Sequence, residues 1–329
     1  MEDESEAQSE GMSMRSMSFE DTPRIENVVG TARKFLDDFI MGLEAESICG
    51  AMGVSTDKTF LLEGKPGTGK TLAGTALNNE LNREFYLKRE LYEHQISRGQ
   101  TPAKLDISEV GALVFEYSVG RHGSKYINEG SKIMQIYFDT ILKCANKGVI
   151  TIASLDEVDA IAGSRTNGVQ SHSEDRKILE TLMKNLQILH DTPNAYAILM
   201  TNKPGDCDEA VLRAKRIDKR YHFELPKPEE RLIGFQHAVL SANKRAGYKV
   251  ARGIKYKELV EITDGFNYAD IAQSVDATIK KRAMEVAVDK TQKIIPAAYV
   301  THNRLKAGVL GHKSEFHKEK KSKEIGFLQ

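Results

Sequence analysis

Apolar residues recur at helical spacing through Ile25, Val28, Val29, Ala32, Phe35, Leu36, Phe39 and Ile40, which predicts an amphipathic helix over about 25–48. The period then changes. Thr59-Phe60-Leu61-Leu62 reads as a short buried strand, and Leu72, Ala73, Ala76 and Leu77 return to helical spacing. The same alternation repeats downstream. Ala112 to Tyr117 predicts a second strand, and Ile133, Ile136, Tyr137, Ile141 and Leu142 mark the helix after it. Gly148 to Leu155 is a third, largely apolar strand, followed by a helix from Ser173 to Leu189 with Ile178, Leu182, Leu186 and Leu189 on one face. Ala195 to Met200 and Tyr221 to Leu225 predict the fourth and fifth strands. Pro226 and Pro228 mark a boundary, and from Glu229 to about Ala297 the pattern is wholly helical. Strands alternating with helices, then helices alone, predict an α/β fold: a three-layer αβα domain on a parallel sheet, followed by a small all-helical lid. One stretch resists assignment. Arg89, Glu90, Glu93 and Gln95 suggest an exposed helix within Leu87 to Ser108, broken at Gly99-Gln100-Thr101-Pro102.

The turn between the first strand and its helix carries chemistry. Gly64-Lys65-Pro66-Gly67-Thr68-Gly69-Lys70-Thr71 fits G-x-x-x-x-G-K-[ST], and Leu72 follows it into the helix. Glycines let successive backbone N–H groups curl inward toward phosphate oxygens, and the helix adds its positive end. Lys70 would reach the β/γ-phosphates of ATP, and the Thr71 hydroxyl would ligate Mg²⁺. The competing reading is a glycine-rich turn that matches by chance. Against it stands Asp156-Glu157, an acidic pair at the carboxyl end of the third apolar strand. Asp156 would hold Mg²⁺ through water, and Glu157 would orient or deprotonate the attacking water.

Composition adds bounds. Lys plus Arg and Asp plus Glu both total 47 in 329 residues, so net charge gives no argument for nucleic acid or anionic membrane. The Lys-rich run from His312 to Lys323 is diluted by Glu315, Glu319 and Glu324, and reads as a solvated tail. Cys49, Cys144 and Cys207 share no metal-ligand spacing, and their number suggests a reducing, cytoplasmic setting. No run approaches the ~18 apolar residues that a membrane span needs. Residues 1–18, rich in Glu, Ser and Met, read as a disordered tail. The expected layout is then an ATPase domain over 19–225, a lid over 226–300, and a carboxyl-terminal helix and basic tail over 301–329.

Five ordered stretches resemble the AAA family of ATPases, within the wider AAA+ class, across about Phe19 to Arg282. They are the phosphate loop, Leu155 to Ile161, Thr201-Asn202-Lys203-Pro204, Leu212 to Asp218, and Asp264 to Ile271. The resemblance implies that Asn202 polarises the attacking water and senses the γ-phosphate, and that Ala269 contacts nucleotide from the lid. It also implies that Arg213 and Arg216 are arginine fingers reaching a neighbouring subunit's site, so that hydrolysis needs a ring, usually a hexamer. Such a guanidinium is worth roughly 10³–10⁵ in rate. Without the resemblance these arginines would read as part of a basic run with Lys215, Lys219 and Arg220. Ser124 to Lys132 resembles the first pore loop, in which Tyr126 and Ile127 would grip a protein substrate; the bland alternative is a Tyr packed on its own subunit. Gly163 to Gly168 would be the second.

Some positions depart from the family pattern. Asn128 stands for a glycine after the pore pair, Gln187-Ile188 for Asp-Gly, and Pro23-Arg24 for glycines on the adenine side. The leading expectation is a ring ATPase that unfolds or remodels proteins. The rivals are a regulatory ATPase that serves a proteasome, a nucleic-acid motor and a non-motor ATP switch. No H-E-x-x-H motif occurs in the chain, so proteolysis would be expected to come from a partner.

Overall fold

The computed structural model describes residues 25, 28–83, 87, 111–118, 130–162, 173–206, 217–288 and 299–313. The described chain divides into two units, up to Phe223 and from Glu224 onward.

In the first unit, helix α1 (Gly30–Ala51) precedes strand β1 (Thr59–Gly64), helix α2 (Lys70–Leu81) and strand β2 (Ala112–Ser118). Helix α3 (Gly130–Ala145), strand β3 (Ile150–Asp156), the short helix α4 (Asp159–Ala162) and helix α5 (Ser173–Asp191) follow. Strand β4 (Ala195–Thr201), a 3₁₀ turn (Pro204–Asp206) and strand β5 (Lys219–Phe223) complete it. The five strands pair in parallel in the order β2-β3-β4-β1-β5.

That order follows from the strand sequences. β1, β3 and β4 are buried on both faces, as interior strands of a parallel sheet must be. Phe60, Leu62, Ile152, Tyr196, Ile198 and Met200 face one cluster with Phe35, Leu36 and Phe39 of α1 and Ala73, Ala76 and Leu77 of α2. Leu61, Ala153, Leu155, Ala197 and Leu199 face the other, against Tyr137, Phe138 and Ile141 of α3 and Leu182, Leu186 and Leu189 of α5. In β5 only Tyr221 and Phe223 are buried, the alternation of an edge strand. Two phenols tie α1 to the sheet: Tyr196 donates to Glu46 at 2.6 Å and Tyr221 to Asp38 at 2.7 Å.

The boundaries differ from the sequence reading in instructive ways. β3 starts at Ile150, because Gly148 turns the chain at φ 85°. β5 starts at Lys219, where the preceding Asp218 accepts the N–H groups of Lys58 and Thr59 at 2.8 and 2.9 Å. It ends at Phe223: Leu225 continues the apolar alternation but lies exposed, since the chain has left the sheet. The stretch from Leu87 to Ser108, apart from Leu87, lies outside the described residues.

The second unit contains helix α6 (Pro228–Ala246), strand β6 (Ala251–Arg252), helix α7 (Tyr256–Ile262), helix α8 (Tyr268–Val288), strand β7 (Val300–Thr301) and a helix α9 over 302–313. Phe235, Leu259, Phe266, Ile271, Val275, Leu305 and Val309 form its core. The unit is helical except for the parallel pair β6–β7. Helical periodicity carries no sign of two-residue strands, which are too short to show a period of their own.

Candidate functional site

The carboxyl ends of β1, β3 and β4 lie on the same edge of the sheet, because all the pairings are parallel. In open α/β sheets this edge is where ligands bind. From β1 the backbone enters the loop Gly64 to Lys70 with Gly67 at φ 77° and Gly69 at φ 102°, both in the left-handed region that glycine tolerates. Thr68 is buried and donates to the Lys65 carbonyl at 2.8 Å. Gly69 caps α2 and brings no side-chain hydrogen bond of its own to the N–H groups of the first turn.

Lys70 is 6% exposed. Its ammonium donates to the carbonyls of Gly64 at 2.7 Å and Lys65 at 2.9 Å, which bends the loop around it. Burial pushes its pKa below the usual lysine value, while the carboxylates of Asp156 and Asp159 pull it back up. The loop after β1 and the acidic end of β3 therefore share one electrostatic environment. Lys65 and Pro66 are exposed at the loop's outer edge, as are Thr71 and Leu72 at the start of α2.

Asp156 ends β3, and its Oδ1 accepts the N–H of Glu157 at 2.8 Å. Glu157 is exposed at φ 57°, a left-handed conformation uncommon for a residue with a Cβ. Such backbone persists where neighbouring contacts impose it. Here Val158 N–H donates to the Met200 carbonyl at 3.1 Å and Ala160 N–H to the Glu157 carbonyl at 2.9 Å. Asn202 follows β4 directly and is half-buried. Its N–H donates to Asp159 Oδ1 at 3.3 Å, and Thr201 Oγ1 donates to the same oxygen at 2.9 Å.

The structure thus brings Gly64 to Leu72, Asp156, Glu157 and Asn202 to one edge. Ala269 is separate: it is exposed at the start of α8 in the second unit, where Asn267 and Asp270 cap the helix reciprocally at 2.8 and 2.9 Å. Tyr126, Ile127, Arg213 and Arg216 lie outside the described residues.

Sequence reasoning missed Ser118 and assigned no role to Asp159. Ser118 stands in register opposite Asp156, and its hydroxyl lies 3.5 Å from Glu157 Oε2. No linear motif signals that neighbour, because it depends on strand register. Asp159 was visible as an acid three residues past Asp156, but its partners lie 42 and 43 residues on.

Among the described residues, no group of three or more His, Cys, Asp or Glu is placed to hold a metal ion. A cation here would take oxygen ligands from Thr71 and Asp156 together with those of a bound phosphate, a hard donor set that suits Mg²⁺. The left-handed glycines, the first turn of α2 and the buried ammonium fit a polyphosphate.

The chain spans less than half the length of the curated relatives it matches. The 26S proteasome regulatory subunit 10B homolog A of Arabidopsis thaliana is 29% identical over 224 residues, covering 67% of this chain and 46% of that protein. The proteasome-activating nucleotidase of Methanosarcina mazei is 29% identical over 223 residues, 67% of this chain and 43% of its own length. The ATP-dependent zinc metalloprotease FtsH of Leptotrichia buccalis is 26% identical over 287 residues, 83% of this chain and 32% of its length. The family model described as "ATPase family associated with various cellular activities (AAA)" matches residues 60–225, half of the chain. With the αβα fold that surrounds this site, the match shows that the chain belongs to the AAA family of ATPases.

Proposed function

We propose that this protein hydrolyses ATP with Mg²⁺ as a ring, usually a hexamer in this family, and uses the energy to pull on polypeptide substrates in the cytoplasm. The observation that carries the reading is the buried Lys70 ammonium on the Gly64 and Lys65 carbonyls, in the field of Asp156 and Asp159. Magnesium-bound ATP supplies an electrophilic γ-phosphoryl group. Lys70 and the loop N–H groups would hold its phosphates, and Thr71 and Asp156 its cation. Glu157 would take the proton of the attacking water, and Asn202 would orient that water. Arg213 and Arg216 would complete the site of a neighbouring subunit, and Ala269 would approach nucleotide from the lid. Tyr126 and Ile127 would grip the substrate.

The names of the relatives support the protein-directed reading over a nucleic-acid motor, since they are proteasome and protease ATPases. They also favour a second reading, in which the ring serves a separate peptidase. The free thiols of Cys49 and Cys144 support a reducing compartment. Among the described residues no helix is long and apolar enough to cross a membrane.

The test is ATP hydrolysis with and without an unfolded model polypeptide such as casein. A motor is stimulated by the polypeptide, and Tyr126→Ala removes the stimulation. Hydrolysis indifferent to polypeptide, in rings shown to form, would instead favour an ATP switch.

A further inference from the structure

We propose that Asp159 is a positioning residue: it locks the backbone that carries Asn202 to the turn that carries Glu157. The inference rests on the reading of Asn202 as the group that orients the attacking water.

Met200, Thr201 and Asn202, the last residues of β4 and the first beyond it, are all tied to the turn after β3. The Met200 carbonyl accepts Val158 N–H at 3.1 Å. The Thr201 hydroxyl and the Asn202 N–H both reach Asp159 Oδ1, at 2.9 and 3.3 Å. Thr201 is fully buried, and its oxygen also accepts the N–H of Lys203 at 3.0 Å. One carboxylate oxygen therefore organises the backbone on either side of the Asn202 side chain. A charged acceptor makes the stronger kind of hydrogen bond, and a buried hydroxyl with both a donor and an acceptor partner has little freedom to rotate.

A plainer role is available to an acid at the start of a helix, where it caps its own first turn. The bonds formed here point elsewhere: Asp159 Oδ1 accepts from the end of β4. A displacement of Asn202 would leave the nucleotide held by the loop and Lys70 while misplacing the water. Misplacement on the order of 1 Å at a reacting centre can cost about 10²-fold in rate.

Asp159 also lies in the field of Lys70, so the experiment separates charge from geometry. Asp159→Asn keeps an acceptor oxygen and drops the charge; Asp159→Ala drops both. Thr201→Val removes the hydroxyl at nearly constant shape, and Thr201→Ser restores it. In the full-length chain, Asp159→Ala and Thr201→Val are expected to lower kcat by about ten- to a hundredfold. Nucleotide Kd should stay within about threefold of wild type, the pattern of an interaction felt in the transition state. Asp159→Asn and Thr201→Ser should retain most of kcat. Asp159→Ala added to Asn202→Ala should cost nothing further, because the group it positions is already gone.

Independent losses that multiply in the double variant would overturn the proposal. So would an Asp159→Asn variant as slow as Asp159→Ala, which would assign the effect to charge. If Asn202→Ala lowers kcat while Asp159→Ala does not, this proposal alone fails. If Asn202→Ala leaves kcat unchanged, the reading of Asn202 fails and takes the proposal with it. Thermal midpoints accompany each rate; should Asp159→Ala unfold, the Thr201→Val and Thr201→Ser pair decides.

Discussion

Gly64 and Gly74 predict opposite outcomes for the same substitution ten residues apart. Gly64 ends β1 at φ 150°, and a Cβ there would run into the carbonyl oxygen of Phe223 on the neighbouring strand. Backbone held in a region that side chains rarely adopt costs about 1–3 kcal/mol, and overpacking against a rigid neighbour costs about as much again. Together these give a central value of about 4 kcal/mol for Gly64→Ala. Each kcal/mol moves the midpoint by roughly 2–4 °C in a domain of about 150–250 residues, so the expected fall is on the order of 10 °C. Gly74 lies inside α2, and a Cβ there would meet nothing within 4 Å. Gly74→Ala should therefore stabilise by about 0.5–1 kcal/mol through helix propensity. The assay is thermal unfolding of both variants without nucleotide, followed by circular dichroism. A Gly64→Ala midpoint equal to wild type would refute the steric argument, and would return this glycine to a role in phosphate binding alone.

Two further predictions concern stability. Asn82 is buried between α2 and β2, where its amide donates to the Ala112 carbonyl at 2.9 Å and accepts the Ala112 N–H at 3.0 Å. Asn82→Ala removes both bonds and should cost about 2–3 kcal/mol, read as a lowered midpoint in chemical denaturation; an unchanged midpoint would show that water replaces the amide. In the second unit, Lys255 at 3.1 Å, His302 at 3.0 Å and Lys306 at 3.2 Å surround Glu258 and hold its carboxyl at about 2, below the ordinary 4.5. A carboxyl whose folded pKa is depressed contributes stability that is present above the unfolded pKa and is lost as pH falls through the folded one. Melting followed from pH 4.5 down to about 2 should therefore fall more steeply in wild type than in Glu258→Gln, and parallel curves would remove the cluster from the account.

The αβα class was legible because each central strand is a short apolar run and each covering helix has one apolar face. Phe60, Leu61 and Leu62 are buried in succession, and Leu182, Leu186 and Leu189 share one side of α5. The loop Gly64 to Lys70 and the pair Asp156-Glu157 stood out because each is a run of neighbours in sequence, and Asn202 stood out only through the family resemblance. Strand order could not, since β4 lies between β1 and β3 through pairings some 140 residues apart on one side. Ser118 beside Glu157, and Asp159 beneath Thr201, were invisible for the same reason: each depends on register and tertiary position. The end of β5 misled because Tyr221, Phe223 and Leu225 alternate regardless of where the chain leaves the sheet. The Gly64 conflict with Phe223 gives that glycine a structural duty that the loop motif alone does not reveal.

In the function proposed above, one site at the edge of this sheet binds ATP through Lys70 and cleaves it through Glu157. The direct measurement is nucleotide affinity and single-turnover hydrolysis on three full-length proteins: wild type, Lys70→Ala and Glu157→Gln. Lys70→Ala should lose ATP affinity, since the ammonium and the loop it bends go together. Glu157→Gln should bind ATP with near wild-type affinity and fail to turn it over. Wild-type turnover in Glu157→Gln, or undiminished ATP affinity in Lys70→Ala, would contradict the account.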